Sequence, residues 1–111
     1  MLKKNNRLKK KKEFNFIYKK GEVFYSKFIA MYVHKTKLKD KKVGFSVSNK
    51  VGNSVVRHKV KRKLSEIVRL NLQKLPNNNY IFVAKQGCEN LDYFTLQEHF
   101  FNLLKKAKFI S

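Results

Sequence analysis

The sequence has few of the residues that form the active site of an autonomous enzyme. It also lacks the paired cysteines that cross-link many extracellular folds by disulfides. Its one cysteine, Cys88, cannot form an internal disulfide, and a lone thiol fits a reducing compartment. The seven acidic residues are dispersed and the three histidines lie far apart, so no carboxylate pair or metal-ligand set stands out. A glycine-rich phosphate loop is also missing. These gaps predict no catalytic residue and no metal ligand in this chain.

Long apolar segments and domain linkers are missing as well. No stretch approaches the roughly 18 apolar residues of a spanning helix, and the basic N-terminal segment lacks the apolar stretch of a signal peptide. The only proline, Pro76, lies in a short Asn-rich loop, and no Pro/Ser-rich linker divides the chain. We therefore expect one cytoplasmic domain over residues 1–111, in which residues 1–10 form a basic, mobile arm.

What the chain has in excess is positive charge. Lys and Arg number 27 against 7 Asp and Glu, a formal net charge of +20, while 42% hydrophobic residues suffice for a compact core. So many like charges repel one another, which makes a polyanion the natural partner. Residues 1–20 carry nine bases and one acid, and residues 50–74 carry eight and one. Nucleic acid and an anionic membrane surface are the two candidates.

Hydrophobic spacing predicts the order αβββαβα, an α+β domain built on one four-stranded sheet. The last helix begins at Thr95, which forms a capping-box pattern with Glu98. In the second strand, alternation places Ile29, Met31 and Val33 on one face of the sheet. The predicted helices span 11–20, 54–74 and 95 to about 108, and the predicted strands span 22–26, 27–35, 43–47 and 80–84.

The central helix is predicted to be amphipathic, with Asn53 as its N-cap. Its core-facing stripe is predicted to contain Val56, Val60, Leu64, Ile67 and Leu70. Lys63 falls on this stripe, and we expect its stem to carry the amine outward. The opposite face is predicted to carry Arg57, His58, Lys61, Arg62, Ser65 and Arg69. This face, together with backbone N–H groups at the start of the helix, suits phosphate binding better than it suits an ordinary solvated surface.

Aromatic residues are the second feature, after the basic helix, that indicates nucleic-acid binding. Phe14 and Tyr18 lie one turn apart on the first helix, and Phe28 and Tyr32 share one face of the second strand with Ala30. Such rings can form stacking platforms for unpaired bases in a groove between helix and sheet. Burial in the core is the alternative: it is the better interpretation for Phe28, while for the other three rings the pattern leaves both open.

Two segments resemble the bacterial ribonuclease P protein component. The first runs Val-Gly-Phe-Ser-Val-Ser-Asn-Lys-Val-Gly-Asn-Ser-Val-Val-Arg-His-Lys-Val-Lys-Arg over residues 43–62, and the second joins Arg7-Leu8-Lys9-Lys10 to Phe14 and to Tyr-Lys-Lys-Gly at 18–21. The similarity covers essentially the whole chain, and the central motif is specific.

The resemblance implies a left-handed βαβ crossover, as in the second domain of a small-subunit ribosomal protein, against the usual right-handed rule. It implies a subunit of ribonuclease P that binds a large catalytic RNA and the 5′ leader of precursor tRNA. The RNA would perform the endonucleolytic removal of the leader with Mg²⁺ that it binds itself. Neither a membrane nor a small-molecule substrate is expected as a partner.

The resemblance also assigns residues to the two RNA contacts. Leader-binding cleft aromatics fall on Phe14, Tyr18 and Tyr32. The chain departs from the family pattern at His58, Lys59 and Ser65, where Asn, Arg and Arg are usual, and Lys lacks the bidentate fork of Arg. Contacts to the catalytic RNA are expected from Lys50, Gly52, Asn53, Arg57, His58, Lys59, Lys61, Arg62 and Arg69.

Two other classes of function stay open. A ribosomal or ribosome-assembly protein would use the same basic helix but would not need an exposed aromatic cleft for single strands. A membrane-active cationic protein would need an amphipathic helix with a bulky outward apolar face, whereas the apolar stripes here are needed for a core.

Overall fold

A computed structural model describes residues 6–36 and 40–111 of the chain. Over these residues the elements follow the predicted order αβββαβα. The helices are α1 (Lys11–Lys20), α2 (Ser54–Leu70) and α3 (Tyr93–Lys106), and the strands are β1 (Glu22–Tyr25), β2 (Ile29–Lys35), β3 (Lys42–Val47) and β4 (Asn78–Ala84). None of the helices in this described part is long and apolar enough to cross a membrane.

The four strands form one mixed sheet in the spatial order β1-β2-β4-β3. β2 pairs antiparallel with both β1 and β4, whereas β3 pairs parallel with β4. Parallel neighbours need a crossover connection, and α2 supplies it between β3 and β4. The predicted α+β class and four-stranded sheet are thereby confirmed, while the left-handed sense of the crossover stays a prediction.

Successive side chains of β2 point to opposite faces of the sheet, and different helices cover the two faces. Ile29, Met31 and Val33 are buried in the main core, as predicted, beneath α2 and α3. The opposite face carries Tyr32 and is covered by α1 through the buried Ile17. One helix of 10 residues covers less of a four-stranded sheet than two helices of 17 and 14 residues do. Side chains on the α1 face therefore keep access to solvent.

The start of α2 is as predicted, but its end is not. The Asn53 side chain accepts a hydrogen bond from the Val56 N–H at 3.0 Å and caps the helix. The helix stops at Leu70, because the buried Asn71 amide donates to the Ile67 carbonyl at 2.8 Å and satisfies an orphan acceptor there. A separate 3₁₀ turn occupies Leu72–Lys74, so the prediction of a continuous helix to residue 74 was wrong.

The buried stripe of α2 is rotated from the one predicted. Val60, Leu64 and Ile67 are buried as expected, but Val68 is fully buried too and draws the stripe toward its side of the helix. Rotation in that direction buries Ser65, 2% exposed, and leaves Leu70 50% exposed. The predictions that Ser65 lies on the outer face and that Leu70 faces the core were therefore wrong.

Lys63 of α2 is tethered within the fold. The side chain is half-buried, and its amine donates to the Leu91 carbonyl at 3.0 Å, just before α3. A backbone acceptor lies within reach of the amine, so the charge need not extend fully into water to be solvated. The expected route outward is thus replaced by a hydrogen bond to the segment that precedes α3.

The N-cap of α3 is Asp92, and the predicted capping box at Thr95 and Glu98 was wrong. The Asp92 carboxylate accepts from the Thr95 N–H at 2.8 Å, and the helix begins at Tyr93. That hydrogen bond favours the ionised form and lowers the pKa of Asp92. A carboxylate also interacts favourably with the positive end of the helix dipole, which explains why Asp92 is the cap.

The described part of the N-terminal segment is packed against β3. Leu8 is buried, its N–H donates to the Val43 carbonyl at 3.0 Å, and Arg7 forms a parallel bridge with Val43. The Asn6 amide donates to the Lys41 carbonyl at 2.7 Å. Residues 6–8 therefore pack beside the sheet, where Leu8 gains an apolar site, and the mobility predicted for residues 1–10 stays a prediction. Residues 1–5 of the predicted arm lie outside the described residues.

Candidate nucleic-acid interface

An aromatic cleft lies between α1 and the exposed face of the sheet. Its floor includes the fully buried Ile81 of β4 and the half-buried Tyr32 of β2. Tyr18 of α1 stands over this floor, and its ring meets that of Tyr32 edge to face, with centroids 4.8 Å apart and planes at 88°. Tyr18 is 37% exposed, so the pair forms an accessible ring surface at one end of the cleft.

Phe14 belongs to α1, and its ring packs against β3 at Gly44, a residue that has no side chain. A Cβ on Gly44 would come within 2.4 Å of the Phe14 Cζ atom and 3.0 Å of a Leu8 methyl carbon. Glycine therefore lets the ring rest directly on the strand. Phe14 is half-buried and packs with Ile17 and Leu8, so it serves both as core and as a wall of the cleft.

A third tyrosine joins Tyr18 and Tyr32. Tyr25 ends β1 opposite Ala30, which places it on the cleft face diagonally across from Tyr32. Burial raises the pKa of Tyr32, and the nearby Tyr25 and Tyr18, including a side-chain hydrogen bond with Tyr25, raise it further. The sequence pattern missed Tyr25, because its place beside Tyr32 depends on the register of β1 against β2.

Phe28 lies outside the cleft. Its ring meets His99 of α3 edge to face at 5.2 Å and packs against the main core. A Cβ on Gly87 would come within 2.7 Å of the Phe28 ring, so the ring fills the space above that glycine. The core interpretation of Phe28 is confirmed.

The basic face of α2 is accessible over its first three turns. His58, Lys59, Lys61 and Arg62 are exposed, and so is Lys50 in the turn before the helix. Arg57 is half-buried, and its guanidinium donates to the Asn49 side chain at 2.7 Å.

Gly52 shapes the entry to α2. Its φ of +156° is one that L side chains rarely adopt, and an added Cβ would lie 3.0 Å from the Val56 side chain. A glycine here lets the chain turn from Lys50 to the Asn53 cap.

Arg69, further along α2, is already paired. Its guanidinium donates to both carboxylate oxygens of Glu66, with an Nε to Oε2 distance of 3.0 Å. This pairing lowers the pKa of Glu66. Arg69 is therefore less available to a phosphate than Arg62, although the sequence placed both on the same basic face.

A cavity joins the basic helix to the aromatic cleft. It has a volume of about 330 Å³ and lies beside β3, where Arg7 and Lys9 of the N-terminal segment face Lys61 of α2. Phe14 from the cleft lines the same cavity. Sequence patterns alone could not find this junction, because its walls come from segments about 50 residues apart. The remaining lining residues are Leu8, Val43, Gly44, Phe45 and Ser65.

A second, wider groove continues from this cavity along the N-terminal segment. It has a volume of about 710 Å³, and its walls include five cations and two carboxylates. Glu13 lies 4.0 Å from the Lys42 amine, and Asp40 accepts from the Asn6 amide, so both acids already have partners. The cations of this groove are Arg7, Lys9, Lys10, Lys12 and Lys42.

Comparison with known proteins identifies the family. The family model described as Ribonuclease P matches residues 2–108 of the chain. The chain belongs to the ribonuclease P protein family. Among its relatives, the ribonuclease P protein component of Clostridium botulinum strain 657 is 42% identical over 106 residues, covering 94% of this chain and 96% of that protein. That of Clostridium botulinum strain Alaska E43 is 48% identical over 109 residues, covering 91% and 87%.

Solved ribonuclease P proteins share the fold. The Staphylococcus aureus protein matches with a TM-score of 0.87 at 30% identity, covering 96% of this chain and 98% of that one. The Thermotoga maritima protein matches with a TM-score of 0.81 at 26% identity, covering 90% and 96%. The predicted resemblance to the ribonuclease P protein family is confirmed, and this interpretation is favoured over the ribosomal and membrane-active alternatives.

Within residues 6–36 and 40–111 no group of three or more His, Cys, Asp and Glu residues is placed to hold a metal ion. The arrangement suits binding: cations line one wall, aromatic rings line the other, and one cavity connects them.

Proposed function

We propose that this chain is the protein subunit of ribonuclease P, and that it acts in the cytoplasm by binding both the catalytic RNA and the 5′ leader of precursor tRNA. Its role is to assist endonucleolytic removal of the leader, which leaves the mature 5′ end of the tRNA. The observation that carries this proposal is the cavity that Lys61 of the basic helix shares with Phe14 of the aromatic cleft. Two RNA segments bound to these neighbouring surfaces would be held close to each other.

The basic face of α2 is the proposed contact with the catalytic RNA. Its exposed cations can neutralise phosphates and release their counterions, which gives an affinity that falls steeply with salt. The bond from Arg57 to Asn49 restrains the guanidinium while leaving other N–H donors for RNA. Backbone N–H groups at the start of the helix add donors near Asn53. These contacts carry little sequence information, so they suit recognition of RNA shape.

The cleft is the proposed contact with the leader. Tyr18 and Tyr32 offer ring surfaces to unpaired bases, and base stacking tolerates any base because each has a π-face. Phe14 closes the end of the cleft that adjoins the cavity. A single strand fits such a surface better than a duplex does, since its bases are free to leave their own stack.

In this mechanism the protein positions the precursor tRNA, and the catalytic RNA carries out the cleavage. Mg²⁺ bound by the catalytic RNA is proposed to supply the hydrolytic chemistry, and no step passes through a side chain of this chain. The protein holds the leader in the cleft while α2 holds the catalytic RNA. The gain is one of orientation, because the scissile phosphate is kept near the RNA groups that cleave it.

The test is cleavage of precursor tRNA by a bacterial catalytic RNA at low Mg²⁺, with and without this protein. Substrates carry either a long leader or a leader of one nucleotide. Stimulation by the protein, reduced with the short leader and reduced again by Tyr32→Ala, supports the proposal. Phe94→Ala is the matched control, because that ring is 73% exposed but lies on α3, across the sheet from the cleft. RNA binding without any change in cleavage would overturn the proposal and favour a ribosomal role.

A further inference from the structure

The flank of α1 that faces away from the aromatic cleft has a pocket of its own. At roughly 100° per residue, Phe16 and Tyr18 project to opposite sides of Ile17, which is buried against the sheet. The Tyr18 ring reaches Tyr32. The Phe16 ring instead meets His34, further along β2, edge to face with the ring centroids 4.9 Å apart. The helix therefore separates the surroundings of Phe16 from the aromatic cleft.

This pocket lies between α1 and the start of β4 and has a volume of about 260 Å³. Phe16, with 51% of its surface exposed, lines it together with the buried Ile17 and with Asn79 of β4. Lys12 and Glu13 complete the lining. Pockets for drug-sized ligands have roughly 300–1,000 Å³, so this one suits a smaller group, such as a single planar base.

Asn79 brings unused hydrogen-bonding capacity to the pocket. It lies opposite His34 in the pairing of β2 with β4, so both side chains project to the sheet face that α1 covers. Within residues 6–36 and 40–111, the buried atoms Asn79 Oδ1 and His34 Nδ1 have no hydrogen-bond partner. Buried polar atoms are normally paired, because an unmet donor or acceptor is costly. An amide that turns about its last side-chain bond can offer its oxygen or its NH₂ group to a ligand, so a group with both a donor and an acceptor would satisfy Asn79.

The charge around the pocket favours RNA as the source of that ligand. Lys12 and Glu13 also line the wide cationic groove, so the pocket and the groove adjoin. The groove in turn shares Arg7 and Lys9 with the cavity that reaches Lys61 of α2. Phosphates of an RNA strand along this path would be neutralised by the cations, and a base that leaves the strand would lie beside the pocket. The path is thus continuous with the surface proposed for the catalytic RNA.

We propose that this pocket binds an unpaired adenine of the catalytic RNA, stacked on Phe16 and hydrogen-bonded by the Asn79 amide. An asparagine amide matches adenine, because it accepts from the N6 amino group and donates to N7. His34 is a positioning residue, since its edge contact orients the Phe16 ring. The inference rests on the proposed function and deepens it, because it adds a base contact on α1 to the phosphate contacts of α2.

The first experiment probes the adenines of the catalytic RNA with diethyl pyrocarbonate, which reacts with accessible N7 atoms, in the absence of precursor tRNA. The wild-type protein is expected to protect an unpaired adenine, and Asn79→Ala is expected to restore its reactivity. Protection at other positions should not change. Asn90→Ala is the matched control, because Asn90 is an exposed asparagine in the turn between β4 and α3.

The second experiment tests the ring by equilibrium binding of the catalytic RNA. Phe16→Leu keeps an apolar side chain over the sheet but removes the π-face, and it is expected to weaken binding by about fivefold to a hundredfold, the range for loss of one base stack. Phe16→Tyr retains the ring and is expected to bind like the wild type. Phe94→Ala is the control for loss of an exposed ring elsewhere, and thermal unfolding of each variant establishes that the fold is retained.

Precursor tRNA separates this inference from the function on which it rests. The loss caused by Phe16→Leu should be the same without precursor tRNA and with leaders of one or many nucleotides. A loss that appears only with long leaders would assign the base to the leader and overturn the inference. If Asn79→Ala exposes every protected position alike, Asn79 has only a structural role and the inference is likewise wrong.

Two further outcomes distinguish the inference from the proposed function. If both variants leave the binding and the protection of the catalytic RNA unchanged, while the protein still stimulates cleavage of long-leader substrates, the pocket binds no base and the proposed function stands. If the wild-type protein does not bind the catalytic RNA at all, the proposed function fails and this inference fails with it.

Discussion

The ring of Phe14 lies so close to Gly44 that a Cβ on the glycine would come within 2.4 Å of the ring. This contact joins α1 to the strand at the edge of the sheet and sets the position of one wall of the cleft. Leu8 packs at the same place. The helix, the N-terminal segment and the strand therefore meet at a residue without a side chain.

Gly44→Ala is expected to destabilise the protein by about 1–3 kcal/mol, the cost of overpacking a well-filled site. The added methyl group would displace the Phe14 ring or the Leu8 side chain. Urea unfolding of the free protein measures this cost. In a Phe14→Leu background the cost should be smaller, because contacting residues couple in double-mutant cycles. Equal costs in both backgrounds would show that the close approach to Phe14 is not what excludes a side chain at Gly44.

Arg62→Ala and Arg69→Ala form a matched pair on the outer face of α2. Arg62 is exposed, whereas Arg69 is bound by Glu66, so Arg62→Ala should weaken binding to the catalytic RNA more. Loss of one phosphate contact should lower the salt slope by about one for Arg62→Ala and by less for Arg69→Ala. Filter binding over a range of KCl concentrations measures both slopes. A larger decrease in affinity and in salt slope for Arg69→Ala than for Arg62→Ala would contradict the argument that Glu66 occupies Arg69.

Asp92→Ala is expected to lower the melting temperature, because it removes the acceptor that caps α3. The lowered pKa of Asp92 means that this stabilisation is present above the carboxyl's unfolded pKa of 3.8 and is lost as pH falls through the folded value. Thermal unfolding of wild type and variant at pH 7 and at pH 2 measures the difference. Glu98→Ala is the control, since Asp92 rather than the Thr95–Glu98 pair forms the cap. A larger effect from Glu98→Ala would restore the capping box predicted from the sequence.

The Cys88 thiol should be unreactive in the folded protein. Burial raises its pKa to about 11, so the thiolate that reacts with alkylating reagents is scarce at neutral pH. Iodoacetamide labelling at pH 8 is expected to be slow in buffer and fast in concentrated guanidinium. Because the pKa of Cys88 is higher in the folded protein than in the unfolded chain, the protonated thiol contributes its full stability below pH 9.0, the unfolded pKa. This contribution to the free energy of unfolding is lost as the pH rises through the folded pKa of about 11. Cys88→Ala should therefore reduce the pH dependence of unfolding between pH 9 and 11.

Asn53→Ala is expected to cost about 1 kcal/mol of stability, because it removes the cap that accepts from Val56. The fraying it causes would lie where Arg57 and Lys50 meet the proposed RNA partner. Affinity for the catalytic RNA should therefore fall along with stability. Asn53→Ser retains a capping oxygen and should recover both, and a loss of affinity in Asn53→Ser with normal stability would assign Asn53 a direct RNA contact instead.

Much of the fold could be predicted because local patterns carry it. The period of two in β2 placed Ile29 and Met31 in the core, and the Asn53 cap marked the start of α2. These signals are local, since a strand alternates its side chains and a helix leaves its first N–H groups unpaired wherever it begins. The end of α2 was missed because Asn71 terminates the helix by a bond back to Ile67, which propensity does not show.

The candidate site could be predicted in part. The basic face of α2 follows from helical spacing, and Phe14, Tyr18 and Tyr32 followed from the resemblance to the ribonuclease P family. Tyr25 could not be found in this way, because the register of β1 against β2 places it beside Tyr32. The pairing of Arg69 with Glu66 likewise required side-chain geometry.

The sequence by itself determined the class of the domain, its charge and its family, because composition, periodicity and a specific motif are properties of residues near one another in the chain. Tertiary structure alone decided which cations are free, which rings are exposed and how the two surfaces meet. Lys61 and Phe14 line one cavity only because α1 lies on one face of the sheet and α2 on the other, with β3 between them. That meeting depends on the packing of segments distant in sequence, and no local pattern encodes it.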